Sequence, residues 1–194
     1  MKIGLDVDGV LLDFVTPFWK FHNENHNTDI DLSKVVKSDY YFADFLGISR
    51  EEEKKRMTDF FNHNYFYDLK PIIGSQEIVE KLSKKHSLYV ITSREDSWRT
   101  KTIKSLDKHF KDKFNQVFFT GNYKGLNVEK ADICLDLNID LLVDDHLANV
   151  LGCSKVGVNS LLYDASHNGA DLPANVNRVY SWEDIFNKIE GKLR

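Results

Sequence analysis

From Ser75 onward, short apolar runs alternate with helical patterns, and this alternation limits the fold more than any other feature of the chain. Ser75–His86 reads as a helix, Ser87–Thr92 as a strand, Ser97–Phe110 as a helix and Gln116–Phe119 as a strand. Lys130–Leu137 is helical, Asp140–Asp144 a strand, His146–Leu151 a short helix, Lys155–Val158 a strand and Trp182–Gly191 a closing helix. The residues from Asn159 to Asn177 read as strand-edge loops. At the front, Lys2–Asp8 is a buried strand that ends in a turn marked by Gly9. Strands alternating with helices predict an α/β fold: a parallel sheet covered on both faces, with right-handed crossovers.

One stretch breaks this rhythm. Phe14 to Tyr67 lies between the first strand and the next and is far too long for a plain crossover. Val10–His26 looks largely helical, with Phe14, Phe18, Trp19 and Phe21 on one broad face, and Pro17 predicts a kink or a restart. Residues 27 to 48 are irregular and include Asp39-Tyr40-Tyr41-Phe42. Ser49 followed by Glu51, Glu52 and Glu53 marks a helix N-terminus with a capping box, and that helix runs to about Asn64. Of the 24 aromatics, 13 fall between Phe14 and Tyr67. That concentration predicts a small helical cap over residues 14–69, inserted into a core of residues 1–13 and 70–194.

Composition excludes several function classes. A net charge of −4 over 194 residues rules out a broad basic footprint, so no polymeric nucleic acid is expected as partner. No apolar run approaches 18 residues, so no membrane association is expected. The opening Met1–Val10 carries acids where a leader needs an apolar stretch, which points to the cytoplasm. Cys134 and Cys153 match no disulfide framework and no zinc spacing, and read as small buried hydrophobes in a reducing compartment. Oligomeric state is open between monomer and homodimer.

In open α/β sheets, ligands bind at the carboxyl ends of the strands. Here those ends read Asp6-Val7-Asp8-Gly9, Thr92-Ser93-Arg94 and Asp144-Asp145, with Lys130 opening the helix before the last. Taken singly, each has a plain structural reading: a turn, a strand-end cap, a helix N-cap, a surface lysine. Arriving in order at one sheet edge, they make a catalytic kit. Converging acids repel, so a hard cation such as Mg²⁺ is expected between them. An Asp beside it can act as nucleophile, and a second Asp two residues on as general acid and base. Hydroxyls, backbone N–H groups and a lysine can cradle a phosphoryl group.

Asp6-Val7-Asp8-Gly9-Val10, Thr92-Ser93, Lys130 and Asp144-Asp145 resemble the four motifs of the haloacid dehalogenase superfamily. That resemblance implies a Rossmann-like core and Mg²⁺-dependent phosphoryl transfer. Asp8 points to phosphatase rather than dehalogenase chemistry. Within the superfamily, Asp8-Gly9-Val10-Leu11-Leu12-Asp13-Phe14 and the stretch Tyr65–Gly74 are similar to the 5′(3′)-deoxyribonucleotidase family. Arg94 departs from that family, which typically has proline there.

The resemblance implies a nucleotidase working through an aspartyl-phosphate, with Asp6 as nucleophile and Asp8 as general acid and base. Mg²⁺ would be held by Asp6, the Asp8 carbonyl and Asp144 or Asp145, with Asp144 favoured as direct ligand. Thr92, Ser93 and Lys130 would bind the phosphoryl group, with Lys124 as a competitor for the lysine role. Phe18, Tyr41 and Arg94 are candidate substrate contacts, Phe18 as the ring overhanging the site, and Arg94 alternatively as the partner of a surface acid. His146 reads as a helix-start residue. The expected partner is a small phosphomonoester, in the first instance a nucleotide. A sugar phosphate is the alternative, and a non-catalytic phosphate-binding protein the third reading.

Overall fold

In the computed structural model, which describes residues 1–31, 33, 42–174 and 176–191, β1 (Lys2–Leu5) lies inside a six-stranded sheet. Its neighbours are β2 (Ser87–Thr92) and β4 (Leu141–Asp144). β3 (Gln116–Phe119) extends the sheet beyond β2, and β5 (Asn159–Tyr163) and β6 (Val176–Val179) extend it beyond β4. The order is β3-β2-β1-β4-β5-β6, and every pairing is parallel. Ile3 pairs with Leu88 and Leu141, and Leu5 with Val90 and Val143, so apolar residues stack across the centre. The chain runs outward from β1 through β2 to β3, then returns to β4 on the other side. This reversal opens a crevice at the carboxyl ends of β1 and β4, the place where such sheets bind ligands.

Both faces are buried. One face carries Ile3, Leu5, Val90, Val143 and Leu161. Against it pack α4 (Ser75–Ser83), α5 (Arg99–Phe110) and α8 (Trp182–Ile189) through Leu82, Leu106 and Trp182. The other face carries Ile91 and Leu142, covered by Ile133 of α6 (Lys130–Leu137) and Cys153 of α7 (Leu147–Lys155). Cys134 and Cys153 are free thiols buried in this second core. The Rossmann-like α/β expectation holds.

Two details differ from the sequence reading. Lys155–Val158 is not a strand: α7 runs to Lys155, longer than expected, and Gly157 turns the chain at φ +86°. The strand begins at Asn159, and β6 follows, where only loops were expected. The apolar Val156 and Val158 flank a helix stop whose N–H groups both donate to the Cys153 carbonyl.

Between β1 and β2 lie α1 (Val15–His26), α2 (Phe42–Leu46), α3 (Arg50–Asn62) and a 3₁₀ turn over Asn64–Asp68. Helix α1 starts at Val15 rather than Val10. Pro17 sits in its first turn, where the missing N–H costs nothing, so it begins the helix without kinking it. Ser49 caps α3 by accepting from the Glu52 N–H, as expected. The segment leaves and returns side by side: the Asp13 N–H donates to the Lys70 carbonyl at 2.8 Å, and the Ile72 N–H to the Leu11 carbonyl at 3.0 Å. Phe14, Phe18, Trp19, Phe21, Phe60 and Phe61 are buried and continuous with the first-face core. No helix among the described residues is long and apolar enough to cross a membrane.

Candidate active site

The strand ends bring the expected acids together. Asp6 follows β1 directly, and its N–H donates to the Val143 carbonyl, which extends the β1–β4 ladder by one bond. Asp144 ends β4 and Asp145 follows it. One carboxylate oxygen from each of Asp6, Asp144 and Asp145 can be chosen so that all lie within 4.8 Å of one another, and all three residues are buried. Lys130, the first residue of α6, reaches in between, with its Nζ 2.7 Å from Asp6 Oδ1 and 2.7 Å from Asp144 Oδ2. The capping box at Glu129 and Asp132 fixes where α6 begins, and so where this lysine points.

The electrostatics follow from burial. Desolvation pushes the Asp6 carboxyl well above its ordinary range; Lys130 opposes this, while Asp144, Asp145 and Asp8 add to it. Asp145 is also raised by burial, against the pull of His167. Burial works against the charge on Lys130, but Asp144 and Asp6 outweigh it and hold the ammonium above its ordinary range. Three buried carboxylates thus share one lysine and one histidine. That surplus of hard oxygen and negative charge suits a small divalent cation.

Asp144 is held at both oxygens: Oδ1 accepts from the His146 N–H at 2.9 Å and from Asn149 Nδ2 at 3.2 Å, and Oδ2 from Lys130. His146 is the residue before α7, as the sequence suggested. Asp145 Oδ2 lies 3.2 Å from His167 Nε2. The loop carrying His167 is pinned by the buried Asn168, whose Nδ2 donates to the carbonyls of Asp145 and Tyr163. Neither His167 nor Asn168 was anticipated. The signal was present in Ser160-Leu161-Leu162-Tyr163-Asp164, one more apolar run ending in an acid.

Above the acids opens a pocket of about 540 Å³. Its lining includes the polar Asp6, Asp8, Thr92, Ser93, Arg94, Lys130 and Asp145 and the apolar Phe14, Phe42, Met57, Phe61 and Trp98. Phe61 and Trp98 stack at 4.1 Å with 19° between planes. Thr92 ends β2 and is buried, and Ser93 is exposed at the pocket.

Phe18 and Lys124 lie away from this pocket. Phe18 does not face the pocket; it is 1% exposed and stacks beneath Phe14 at 5.3 Å and Phe42 at 5.1 Å. Phe14, one turn earlier on the same helical face, takes the pocket position instead. Tyr41 lies outside the described residues. Lys124 is exposed and paired with Asp136 at 2.5 Å. Among the described residues Arg94 pairs with no surface acid: its buried guanidinium grips Asp8.

Known proteins resemble this chain along nearly its whole length. The model of the family described as 5′ nucleotidase, deoxy (pyrimidine), cytosolic type C protein matches residues 1–194. A 5′(3′)-deoxyribonucleotidase of Bacillus subtilis is 30% identical over 96% of this chain and 97% of its own. A nucleotidase of Clostridium acetobutylicum is 26% identical over 98% of this chain and 94% of its own. A haloacid dehalogenase-like hydrolase of Streptococcus pneumoniae shares the fold, with a TM-score of 0.70, 15% identity and 97% coverage of each chain.

Proposed function

The chain belongs to the 5′ nucleotidase, deoxy (pyrimidine), cytosolic type C family, within the haloacid dehalogenase superfamily, and from that premise we propose that it hydrolyses (deoxy)nucleoside monophosphates through an aspartyl-phosphate on Asp6. The observation that carries this reading is the Lys130 bridge between Asp6 and Asp144, with Asp6 and Lys130 lining a pocket that aromatic rings also line. The bridge fixes one Asp6 oxygen, and Asp6 also borders the pocket, where a substrate phosphorus would sit. The pocket's volume falls in the range of small-molecule sites, and its rings offer faces for a nucleobase.

The proposed reaction runs in two steps. Asp6 attacks phosphorus, and Asp8 gives a proton to the departing ribose oxygen. Asp8 then takes a proton from the water that attacks the aspartyl-phosphate, and Asp6 is released as a carboxylate. Thr92, Ser93 and Lys130 hold phosphoryl oxygens and balance their charge. Asp6, the Asp8 carbonyl, Asp144 and Asp145 are the groups that would hold Mg²⁺, which supplies positive charge beside the transferring phosphoryl group. Residues 14–69 serve as a cap that selects the substrate, over a core of residues 1–13 and 70–194. The shared neck at Asp13 and Lys70 supports that division.

A panel of deoxy- and ribonucleoside monophosphates, sugar phosphates and p-nitrophenyl phosphate, with and without Mg²⁺, tests the reading. Mg²⁺-dependent phosphate release fastest from nucleotides is expected. Sugar phosphates outrunning every nucleotide would replace the substrate class, and no release from any compound would leave a phosphate-binding protein.

A further inference from the structure

Arg94 is buried where an arginine is costly, with 1% of its side chain exposed. Its guanidinium carbon lies 4.9 Å from the ring centre of Phe66 and 5.4 Å from that of Phe61. Nε donates to Asp8 Oδ2 at 2.8 Å, one terminal nitrogen to Asp8 Oδ1 at 2.6 Å and the other to Thr102 Oγ1 at 3.2 Å. The backbone N–H of Arg94 donates to Thr92 Oγ1 at 3.2 Å, which ties the loop to the end of β2.

A two-pronged guanidinium–carboxylate pair fixes the rotation of the carboxylate as well as its position, which a lysine ammonium cannot do. Asp8 is 24% exposed in its side chain and lines the pocket, so the pair orients a group that faces substrate. A phosphate-binding arginine keeps its fork free for the ligand. Here both prongs are occupied by Asp8, and Lys130, Thr92 and Ser93 line the same pocket with polar groups of their own. Phe61 and Phe66 come from the segment between β1 and β2, so the same contacts tie that segment to the orientation of Asp8.

We propose that Arg94 is a positioning residue of the phosphoryl-transfer reaction, acting through Asp8 by holding its carboxylate at the angle from which it serves the leaving oxygen and then the attacking water. This rests on the activity reading above. As the P–O bond to the leaving group breaks, the Asp8 proton passes to that oxygen and leaves a carboxylate that the Arg94 fork fits. The proton from the attacking water then restores Asp8, and the cycle closes.

A double-mutant cycle tests this, with phosphate release measured for wild type, Arg94→Lys, Asp8→Asn and the double variant. In the wild-type background Arg94→Lys is expected to lower kcat by roughly 10–100-fold, a part of the about 10²–10⁴-fold that a positioned acid–base group contributes, with KM changed by less than about threefold. In the Asp8→Asn background the same substitution is expected to cost less than about threefold. An equal loss in both backgrounds, or a rise in KM at constant kcat, would overturn the proposal. If Arg94→Lys does not fold, Asp8→Asn with Arg94→Met removes both charges together. Activity equal to Asp8→Asn alone supports the proposal, and a further loss of about tenfold overturns it. A wild type that releases no phosphate from any ester would overturn the activity reading and this inference with it. An active wild type with an additive cycle overturns this inference alone.

Discussion

The carboxylate of Asp145 occupies the space where a side chain on Gly9 would begin: a Cβ there would lie 2.0 Å from Asp145 Oδ2 and 2.6 Å from its Cγ. Gly9 also holds φ at +75°, a conformation that costs other residues about 1–2 kcal/mol. The turn after β1 and the acid after β4 therefore fit only while position 9 is glycine. Gly9→Ala should lower stability by about 1–3 kcal/mol from strain and displacement. It should lower phosphate release further than that loss of fold explains, because Asp145 must move. Chemical denaturation beside steady-state assays separates the two effects, and an unchanged rate would show that Asp145 tolerates the shift.

Lys130→Met leaves Asp6 and Asp144 facing each other without their shared cation. Removing one member of a buried ion pair typically costs about 3–5 kcal/mol. A loss of that order in urea unfolding is expected, together with near-complete loss of activity. Lys124→Met, at an exposed pair with Asp136, should change stability by less than about 1 kcal/mol and leave phosphate release within about twofold.

Chelation should abolish turnover reversibly. The surplus of carboxylate over cation at Asp6, Asp144 and Asp145 also means that Mg²⁺ should raise the melting temperature, whether or not substrate is present. Calorimetric scans in EDTA and in millimolar Mg²⁺ read this directly. Identical scans would argue against a cation at the acids.

Acid should weaken the fold through His22. Burial, with smaller contributions from His26 and Arg56, lowers its pKa from 6.5 to about 4. The local bonds agree: Arg56 donates toward Nε2 at 2.8 Å, and Nδ1 lies 2.9 Å from Thr28 Oγ1, which suits a neutral ring. The folded protein binds this proton less readily than the unfolded chain. The His22 contribution is therefore whole above about pH 6.5 and drains away as pH falls toward 4. Urea midpoints should fall over that interval, by up to a few kcal/mol in stability, and His22→Gln should flatten the slope.

Much of this molecule can be read from its sequence. The strand and helix alternation from Ser75 to Asp144 sets the sheet, and the acids, Thr92 and Lys130 meet at one edge because parallel strands all present the same end. What escaped depends on contacts between distant parts. Phe14 and Phe18 share a helical face, and their spacing does not say that Phe18 packs on the distant Phe42 and Phe60 while Phe14 meets the pocket. The partner of Arg94 is 86 residues away, and no local pattern names it. Val156 and Val158 mimic a strand while serving a helix stop, which hides both the start of β5 at Asn159 and the loop that brings His167 to Asp145.

The account rests most heavily on Asp6 as the group that takes the phosphoryl. Phosphate release from a deoxynucleoside monophosphate in Mg²⁺, compared between wild type and Asp6→Asn, tests it most directly. The account predicts a drop of about 10³-fold or more, since no other group can replace the nucleophile. An Asp6→Asn protein verified intact by mass and still working within about tenfold of wild type would contradict it.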